Sequence, residues 1–286
     1  MRASIAAVVS ALLWITPASA DRTFQGFSED LSNRFQSGTG VSAGTATISI
    51  HRGAGGQVTD ITISDTNGAL VKTGSANAAA GFVADPLTRF IFAPQGWAIA
   101  SYLDFSSFGT WLSPGPNAII AGAVAGGRPT PAPAMPRTGT ATYQGKTFGV
   151  GEVDAGSFLR EPILIWGDAS ITADFSHLQV VTDLTNLMSS ATAVGSGVGP
   201  GFNPVGPATP LGSLSGTANL SGNTYSGALH GTFAALGTQV TVAGPEQGRF
   251  FGPKALETAG TWAVSGVFSF PATFTGTGSF GAVRKP

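Results

Sequence analysis

Short segments in which apolar and Ser or Thr residues alternate, separated by glycines, fill residues 137–286. Alternation with a period of two is the pattern of a half-buried antiparallel strand, and Gly, Ser and Thr all lower helix stability relative to Ala. Seven to nine strands at this spacing predict a closed small barrel or a sandwich. The predicted strands are 138–143, 147–150, 170–175, 178–184, 212–221, 224–233, 247–251, 260–266 and 273–283.

A barrel of about eight strands is filled by its own side chains. The residues expected to point inward are Phe175, Leu214, Ala218, Leu220, Leu229, Phe233, Phe250, Trp262, Val264, Phe274 and Phe280. We expect hairpin turns at Gly222-Asn223 and at Gly266, because glycine accepts the backbone angles of tight turns. Residues 187–211 form a Gly/Pro/Ser-rich stretch without periodicity, which predicts a long loop of the kind that is often functional.

The first part of the mature chain, residues 21–136, is also rich in alternating β-branched residues and predicts a separate β-rich domain. Residues 28–36 are the exception, for which we predict a short helix. Four prolines within residues 129–136 cannot donate ladder hydrogen bonds and predict an extended connector or an edge cover. We therefore place the boundary between the two domains at residue 136, with the barrel spanning 137–286.

Composition excludes several classes of function. The chain has no cysteine, which removes disulfides, thiolate metal sites and lipid attachment at a cleavage point. A net charge of -1 with 10% charged residues provides neither a basic face for nucleic acid nor a polybasic patch for anionic lipid. We find no nucleophile elbow and no dinucleotide fingerprint, so we expect no catalytic residues and no enzyme.

The amino terminus predicts export. Arg2 precedes an apolar run at 3–15, and small residues at 16–20 form a signal-peptidase site. We expect a cleaved signal peptide at 1–20 and a periplasmic, secreted or cell-surface product that is not a lipoprotein. An uncleaved anchor is the alternative, although the run is shorter than the roughly 20 residues that span a bilayer. The mature chain has no other run of that length, so we expect no transmembrane helix after cleavage.

Residues 248–266 (GRFFGPKALETAGTWAVSG) closely resemble the signature of the β-barrel domain of transferrin-binding protein B. Residues 278–284 resemble the terminal strand of that family, and residues 214–227 resemble its central hairpin. In this motif we expect Pro253 to open a helical turn at 254–258 that Gly260 ends, and Trp262 to fill the barrel. The residues expected to play these structural roles are Gly248, Phe250, Gly252, Pro253, Gly260, Trp262, Phe280 and Gly281.

The resemblance implies an all-β fold, with an N-terminal β-rich handle domain followed by an antiparallel eight-stranded barrel. It also implies an exported, non-enzymatic binding protein that captures haem, another iron source, or a host or envelope protein. Haem is the one cofactor that the family suggests. Two alternatives stay open: a cell-envelope scaffold that docks to another envelope or host protein, and a small outer-membrane barrel, whose strands would be longer and more apolar than these.

Histidines are the candidate ligands for haem iron. The chain has three, His51, His177 and His230, and none lies at metal-type spacing from another, so we predict no metal site. An incoming haem must reach its ligand, which favours histidines at strand ends and turns. We therefore rank His51 first and His177 second. The aromatic residues Trp97, Tyr102, Phe105, Phe108 and Trp111 alternate along strands, and we interpret them as the core of the handle. A binding surface, where Trp and Tyr anchor interfaces, is the alternative.

Overall fold

The structure is a computed structural model of the 286-residue chain. It describes the backbone of residues 32–36, 40–44, 46–52, 58–65, 68–73, 89–93, 98–114, 119–155, 160–191 and 207–286. It describes the side chains of residues 103–110, 122–155, 163–190 and 207–286. The predicted signal peptide and residues 192–206 of the predicted loop lie outside the described residues.

The described strands before residue 128 form two antiparallel sheets. Their bounds are β1 (Ser32–Gln36), β2 (Gly40–Gly44), β3 (Ala46–Arg52), β4 (Val58–Asp65), β5 (Gly68–Thr73), β6 (Arg89–Ala93), β7 (Ala98–Tyr102), β8 (Ser106–Pro114) and β9 (Ile119–Gly127). One sheet has the order β2-β1-β9-β8-β7-β6, and the other has the order β3-β4-β5. We call this region the handle. The division of the chain into domains at residue 136 stays a prediction.

The helix predicted at 28–36 is wrong for the part that the structure describes, since Ser32–Gln36 form β1. This strand pairs on one side with β2 and on the other with β9, where Phe35 lies opposite Val41 and Ala121. A helix this short is marginal on its own. A strand with a neighbour on each side satisfies its backbone groups without that cost, so the sheet decides the conformation of this segment.

Eight further strands close into an antiparallel barrel in sequence order. They are β10 (Thr140–Asp154), β11 (Arg160–Asp174), β12 (Gln179–Ala191), β13 (Thr209–Ser221), β14 (Thr224–Ala235), β15 (Thr238–Phe251), β16 (Glu257–Val267) and β17 (Thr273–Arg284). The barrel closes because β10 pairs with β17 as well as with β11. The predicted all-β fold with an eight-stranded barrel is confirmed.

Several predicted interruptions turn out to be continuous strand. The segments 138–143 and 147–150 belong to one strand, β10, in which Gly145 pairs with Ala169 and Ala282. At both ends of the predicted loop 187–211 the strands continue, because Leu187 and Leu211 are buried in the barrel core. Glycines and a loop-like composition were misleading in these segments, because the neighbouring strands continue the hydrogen-bond ladder across them.

Turn predictions have a mixed outcome. Gly222, with φ +61°, lies in the turn between β13 and β14, as predicted. Gly266 lies within β16 instead, and the chain reverses later, where the Phe268 amide donates to the Ala272 carbonyl at 3.0 Å. The helical turn predicted at 254–258 is also wrong. Lys254 and Ala255 have φ of 53° and 56°, which is left-handed backbone, and β16 begins two residues later.

The barrel interior is a single apolar cluster that contains all eleven residues expected to point inward. Trp262, Phe233, Phe250, Phe274 and Phe280 are among its largest fully buried side chains. Alternation along the strands places these residues inside and leaves many Ser and Thr residues outside. The only helix among the described residues is the 3₁₀ turn Ala132–Ala134 of the connector, and no described helix is long and apolar enough to span a bilayer.

Candidate functional site

The handle packs on the outer wall of the barrel through a second apolar cluster. Its buried members come from β8 and β9 of the handle and their preceding segment, and from β10, β11, β15 and β16 of the barrel: Leu103, Phe108, Ala125, Phe148, Val150, Leu164, Phe251 and Ala259. Phe108 stacks on Phe148 with ring centroids 6.0 Å apart. The hydroxyl of Thr110 donates to the Phe148 carbonyl at 3.0 Å. The two regions therefore share one buried interface.

Glu257, the first residue of β16, anchors the segment that leads into β8. Its carboxylate accepts hydrogen bonds from the amide of Asp104 at 2.8 Å, from the amide of Phe105 at 3.0 and 3.1 Å, and from the hydroxyl of Ser106 at 2.8 Å. Burial raises the pKa of Glu257, and these hydrogen bonds oppose the rise. The carboxylate thus satisfies three donors of the handle that would otherwise be buried without partners.

The proline-rich connector covers one end of the barrel. The Thr130 amide donates to the Phe250 carbonyl at 2.9 Å, and its hydroxyl donates to the Gly252 carbonyl at 2.6 Å. Asn223 closes the site from the opposite hairpin, because its side-chain amide donates to the Thr130 carbonyl at 2.7 Å. We call this the connector end, defined by the turns at 175–178, 222–223 and 252–255. The other end, defined by the turns at 236–237 and 268–272, is the distal end.

The glycines of the family signature make room for aromatic rings. A Cβ at Gly248 would overlap the ring of Tyr225, and one at Gly260 would overlap the ring of Phe280. Gly252 has φ +72° and lies against Phe105 of the handle. Gly260 was expected to end a helical turn, and that expectation is wrong, since it lies inside β16 opposite Phe280. Pro253 lies in the left-handed turn between β15 and β16.

Trp262 occupies the centre of the barrel, and two inward glycines leave space for it. A Cβ at Gly149 or Gly278 would overlap the indole ring. The indole N–H is satisfied inside the core, because it donates to the hydroxyl of Thr147 at 2.9 Å. Thr147 in turn donates to the Ser279 carbonyl at 2.9 Å. The barrel is therefore filled at the level of Trp262.

His177 lies in the turn between β11 and β12, with 79% of its side chain exposed. Its Nδ1 lies 2.8 Å from Oδ2 of Asp174, whose Oδ1 accepts from the His177 amide at 3.0 Å. The hydrogen bond to Asp174 raises the pKa of His177, and the negative charge of Asp174 adds to the rise. This contact leaves Nε2 directed away from the carboxylate, since the two ring nitrogens lie on opposite sides of the imidazole.

The other two histidines lie elsewhere. The side chain of His51 is outside the described residues, and its backbone in β3 pairs with Asp60 of β4. His230 lies on the exposed face of β14. Among the described residues, no group of three His, Cys, Asp or Glu side chains could hold a metal ion. Asp168 pairs with Lys146 at 2.6 Å and accepts from Asn186 at 2.8 Å, on the outer wall of the barrel.

The distal end exposes apolar side chains. Leu236 at the tip of one hairpin is 43% exposed, and Val267 and Phe270 of the adjacent hairpin are 75% and 39% exposed. A cavity of about 470 Å³ opens beside Leu236. Its lining carries no charged side chain: Val153, Ile163, Ser189, Pro207, Thr209, Pro210, Ala234, Ala235, Leu236 and Gly237. Leu236 has φ 52°, a strained angle for a branched apolar residue.

A family model described as the C-lobe and N-lobe β-barrels of transferrin-binding protein B matches residues 135–284. This match covers the whole closed barrel. The chain belongs to the transferrin-binding protein B barrel family. The resemblance of residues 248–266 is therefore confirmed at the level of the family. In this chain, residues of that segment make the glycine and aromatic contacts described above. No curated protein matches the chain.

Solved structures of transferrin-binding protein B are also similar to this family member. A mutant of the Haemophilus parasuis Hp5 protein has 15% identity and a TM-score of 0.46, over 84% of this chain and 51% of that chain. The isotype 1 protein of serogroup B Neisseria meningitidis has 18% identity and a TM-score of 0.45, over 91% of this chain and 44% of that chain. This chain thus spans about half the length of these structures.

Sequence reasoning missed three polar residues of the junction, Glu257, Thr130 and Asn223. Glu257 stands within the quoted signature, and a single carboxylate in a segment otherwise rich in Gly, Ala and Thr was the available signal. Thr130 and Asn223 carry no such signal. They are 93 residues apart and meet only because the connector crosses the end of the barrel.

Proposed function

We propose that this chain is an exported, non-enzymatic binding protein that captures a host or envelope protein through the distal end of its barrel. The observation that carries the proposal is the contrast between the two parts of the barrel. Its interior is filled by side chains at the level of Trp262, so a ligand has no room there, and the cavity beside Leu236 opens at the distal end. Its distal hairpins instead leave Leu236, Val267 and Phe270 exposed, as residues of protein interfaces are.

The outer wall of the barrel argues against insertion in an outer membrane. A membrane barrel carries an apolar band outside and polar residues inside. Here the described interior is mainly apolar. Exposed polar residues follow one another along the outer face of β13: Ser213, Ser215, Thr217, Asn219 and Ser221. The arrangement is the reverse of the one that a lipid environment requires, which favours a protein surrounded by water.

Transferrin is the first partner to test, because the barrel belongs to the transferrin-binding protein B family. The purified mature chain is titrated with apo- and iron-loaded transferrin by biolayer interferometry. A variant with Leu236→Ser, Val267→Ser and Phe270→Ser is compared with a control carrying Leu178→Ser and Leu256→Ser, which removes exposed leucines at the connector end.

If the distal end binds the partner, we expect the affinity of the distal variant to fall at least tenfold, since three interface side chains of about 0.5–1 kcal/mol each would be lost. The control stays within twofold of the parent chain. A folded chain that binds neither form of transferrin removes transferrin as its partner and leaves an envelope scaffold or haem capture. Equal losses in the two variants would contradict the distal location.

Haem capture is the second candidate, and the contact between His177 and Asp174 is the observation that favours it. Metal-ligating histidines commonly donate their second ring nitrogen to a carboxylate, which orients the ring. His177 has this partner and is exposed at a turn. His51 is the other candidate ligand. We propose that, if haem binds, the Nε2 atom of one of these histidines coordinates its iron.

A hemin titration tests this candidate directly. We expect a Soret band that saturates at one hemin per chain, and that is lost in His177→Ala or His51→Ala but kept in His230→Ala. The His230 variant is the matched control because this residue is also exposed on the barrel. The absence of any spectral change with the parent chain rejects haem capture.

Export itself is tested by fractionation of the producing cell. We expect the chain in the periplasm, at the surface or in the medium, with Asp21 as its first residue after processing. Retention of an unprocessed chain in the cytoplasm contradicts the proposal.

A further inference from the structure

Glu246 lies in β15 on the same face as Val242 and Phe250 of the barrel core. Two-residue alternation along the strand therefore directs its side chain into the barrel. The residue is 2% exposed, and neither carboxyl oxygen has a hydrogen-bond partner among the described residues. Burial without a hydrogen-bond partner strongly destabilises the ionised form of a carboxyl group. Such groups are rare in native proteins, so this one requires an explanation.

The neighbours of Glu246 offer little to stabilise a negative charge. In β16, Trp262 lies directly opposite in the register, and in β14, Gly227 does. Thr182 of β12 is fully buried and points into the barrel. Its hydroxyl favours the ionised form of Glu246, but it makes no hydrogen bond of good geometry to the carboxyl.

The titratable groups that act on Glu246 are acidic as well. Asp183 of β12 acts on it through its negative charge. Tyr225 of β14 is buried in the same core, with its hydroxyl 2.8 Å from that of Thr258 in β16. In this set no positive charge compensates an ionised Glu246. The buried surroundings of the carboxyl are thus compatible with a neutral acid.

We propose that Glu246 is a proton-operated switch in the wall of the barrel. As a neutral acid it packs inside the closed barrel, and on ionisation it draws water into the core and loosens the strands that surround it, β12, β14, β15 and β16. The switch acts on the barrel and does not depend on which partner the chain captures.

The direction of the pH effect follows from the pKa. Burial raises the pKa of Glu246 from 4.5 to about 7, the charge of Asp183 adds to the rise, and Thr182 opposes it. A carboxyl whose pKa is higher in the folded state holds its proton more tightly there than in the unfolded chain. Its contribution to stability is complete below the unfolded pKa and is lost as the pH rises through the folded pKa.

The first experiment compares urea unfolding of the full mature chain and its Glu246→Gln variant between pH 5 and 9. The glutamine has the shape of the neutral acid and cannot ionise. We expect the unfolding constant of the parent, divided by that of the variant, to increase about tenfold per pH unit up to about pH 7 and then to level off.

Asp168→Asn is the matched control. Burial tends to raise the pKa of Asp168, but hydrogen bonds from Asn186 and Lys146 outweigh it and hold the pKa below its usual value. Asp168 is therefore ionised throughout this range, and its variant differs from the parent by a constant factor. A ratio of parent to Glu246→Gln that stays constant from pH 5 to 9 overturns the proposal.

Two measurements on the folded chain locate the effect. The infrared band of a protonated carboxyl at pH 6 should disappear by pH 9 and be absent from the Glu246→Gln variant at either pH. Amide hydrogen exchange, corrected for its intrinsic pH dependence, should accelerate at least tenfold in β12, β14, β15 and β16 at pH 9 and stay within twofold in β10 and β17. Uniform acceleration, or none, contradicts a local switch.

Discussion

The ring of Phe108 in the handle lies directly over Gly281 in the last barrel strand, where a Cβ would overlap it. Phe108 is fully buried and stacks on Phe148 of the first barrel strand. Gly281 lies in the segment 278–284, within the span that matches the family model. Because Gly281 has no side chain, Phe108 of the handle can pack directly against the barrel wall.

We expect Gly281→Ala to destabilise the chain by about 1–3 kcal/mol, because an added methyl overpacks a buried interface. Urea unfolding measures the change. A double-mutant cycle with Phe108→Leu is the control, since a smaller side chain leaves room for the methyl, and the double variant should then lose less than the sum of the two single losses. Additive losses would mean that Gly281 matters for a reason other than Phe108.

Glu257→Ala should cost about 3 kcal/mol or more, since it leaves two amides and one hydroxyl of the handle buried without an acceptor. Ser106→Ala removes one of these donors and keeps the acceptor, so it should cost about 1 kcal/mol. Chemical denaturation gives both values, and limited proteolysis within residues 103–106 reports whether the segment detaches. Equal costs for the two variants would show that the carboxylate does not act as a shared acceptor.

The inward residues of the barrel were predictable from the sequence, because two-residue alternation and burial are linked along each strand. Phe233 and Phe274 illustrate this. Both were expected inside, and they meet edge to face with centroids 5.2 Å apart. Local pattern determines which face a residue occupies, so this part of the fold needed no knowledge of distant contacts. The strand bounds were predicted less well, since residues 160–169 of β11 and 238–246 of β15 were not expected to be strand.

The errors arose where distant contacts decide. Gly145 and Gly266 had the composition of breaks, but each stays in a strand because neighbouring strands pair with it. The role of Glu257 depends on donors about 150 residues earlier in the chain. No local pattern shows which distant residues a side chain will contact. The same is true of Glu246, whose burial without a hydrogen-bond partner follows only from closure of the barrel.

Thr147→Val should destabilise the barrel by about 2 kcal/mol. The two side chains have the same shape, but valine leaves the buried indole N–H of Trp262 without its acceptor. Thr147→Ser is the control, because it keeps the hydroxyl and loses only a methyl group. Near-ultraviolet circular dichroism and urea unfolding measure the effect. If serine is tolerated worse than valine, packing outweighs the hydrogen bond at this position.

Leu236→Asn should stabilise the barrel by about 1 kcal/mol. Leu236 and Gly237 form a two-residue hairpin turn in which both φ angles are positive, at 52° and 73°. Asn-Gly is the sequence that such turns prefer, and left-handed backbone costs leucine roughly 1–2 kcal/mol.

Leu236→Ala is the control, because it removes the same exposed apolar side chain while keeping the strain. Thermal unfolding should rank Asn above Leu and Leu at or above Ala. The exposed side chain of Leu236 is also part of the proposed distal interface, and asparagine removes its apolar surface. The Asn variant should therefore be the more stable protein and the weaker binder at the distal end, and a variant that gained stability with no loss of partner affinity would remove Leu236 from the proposed interface.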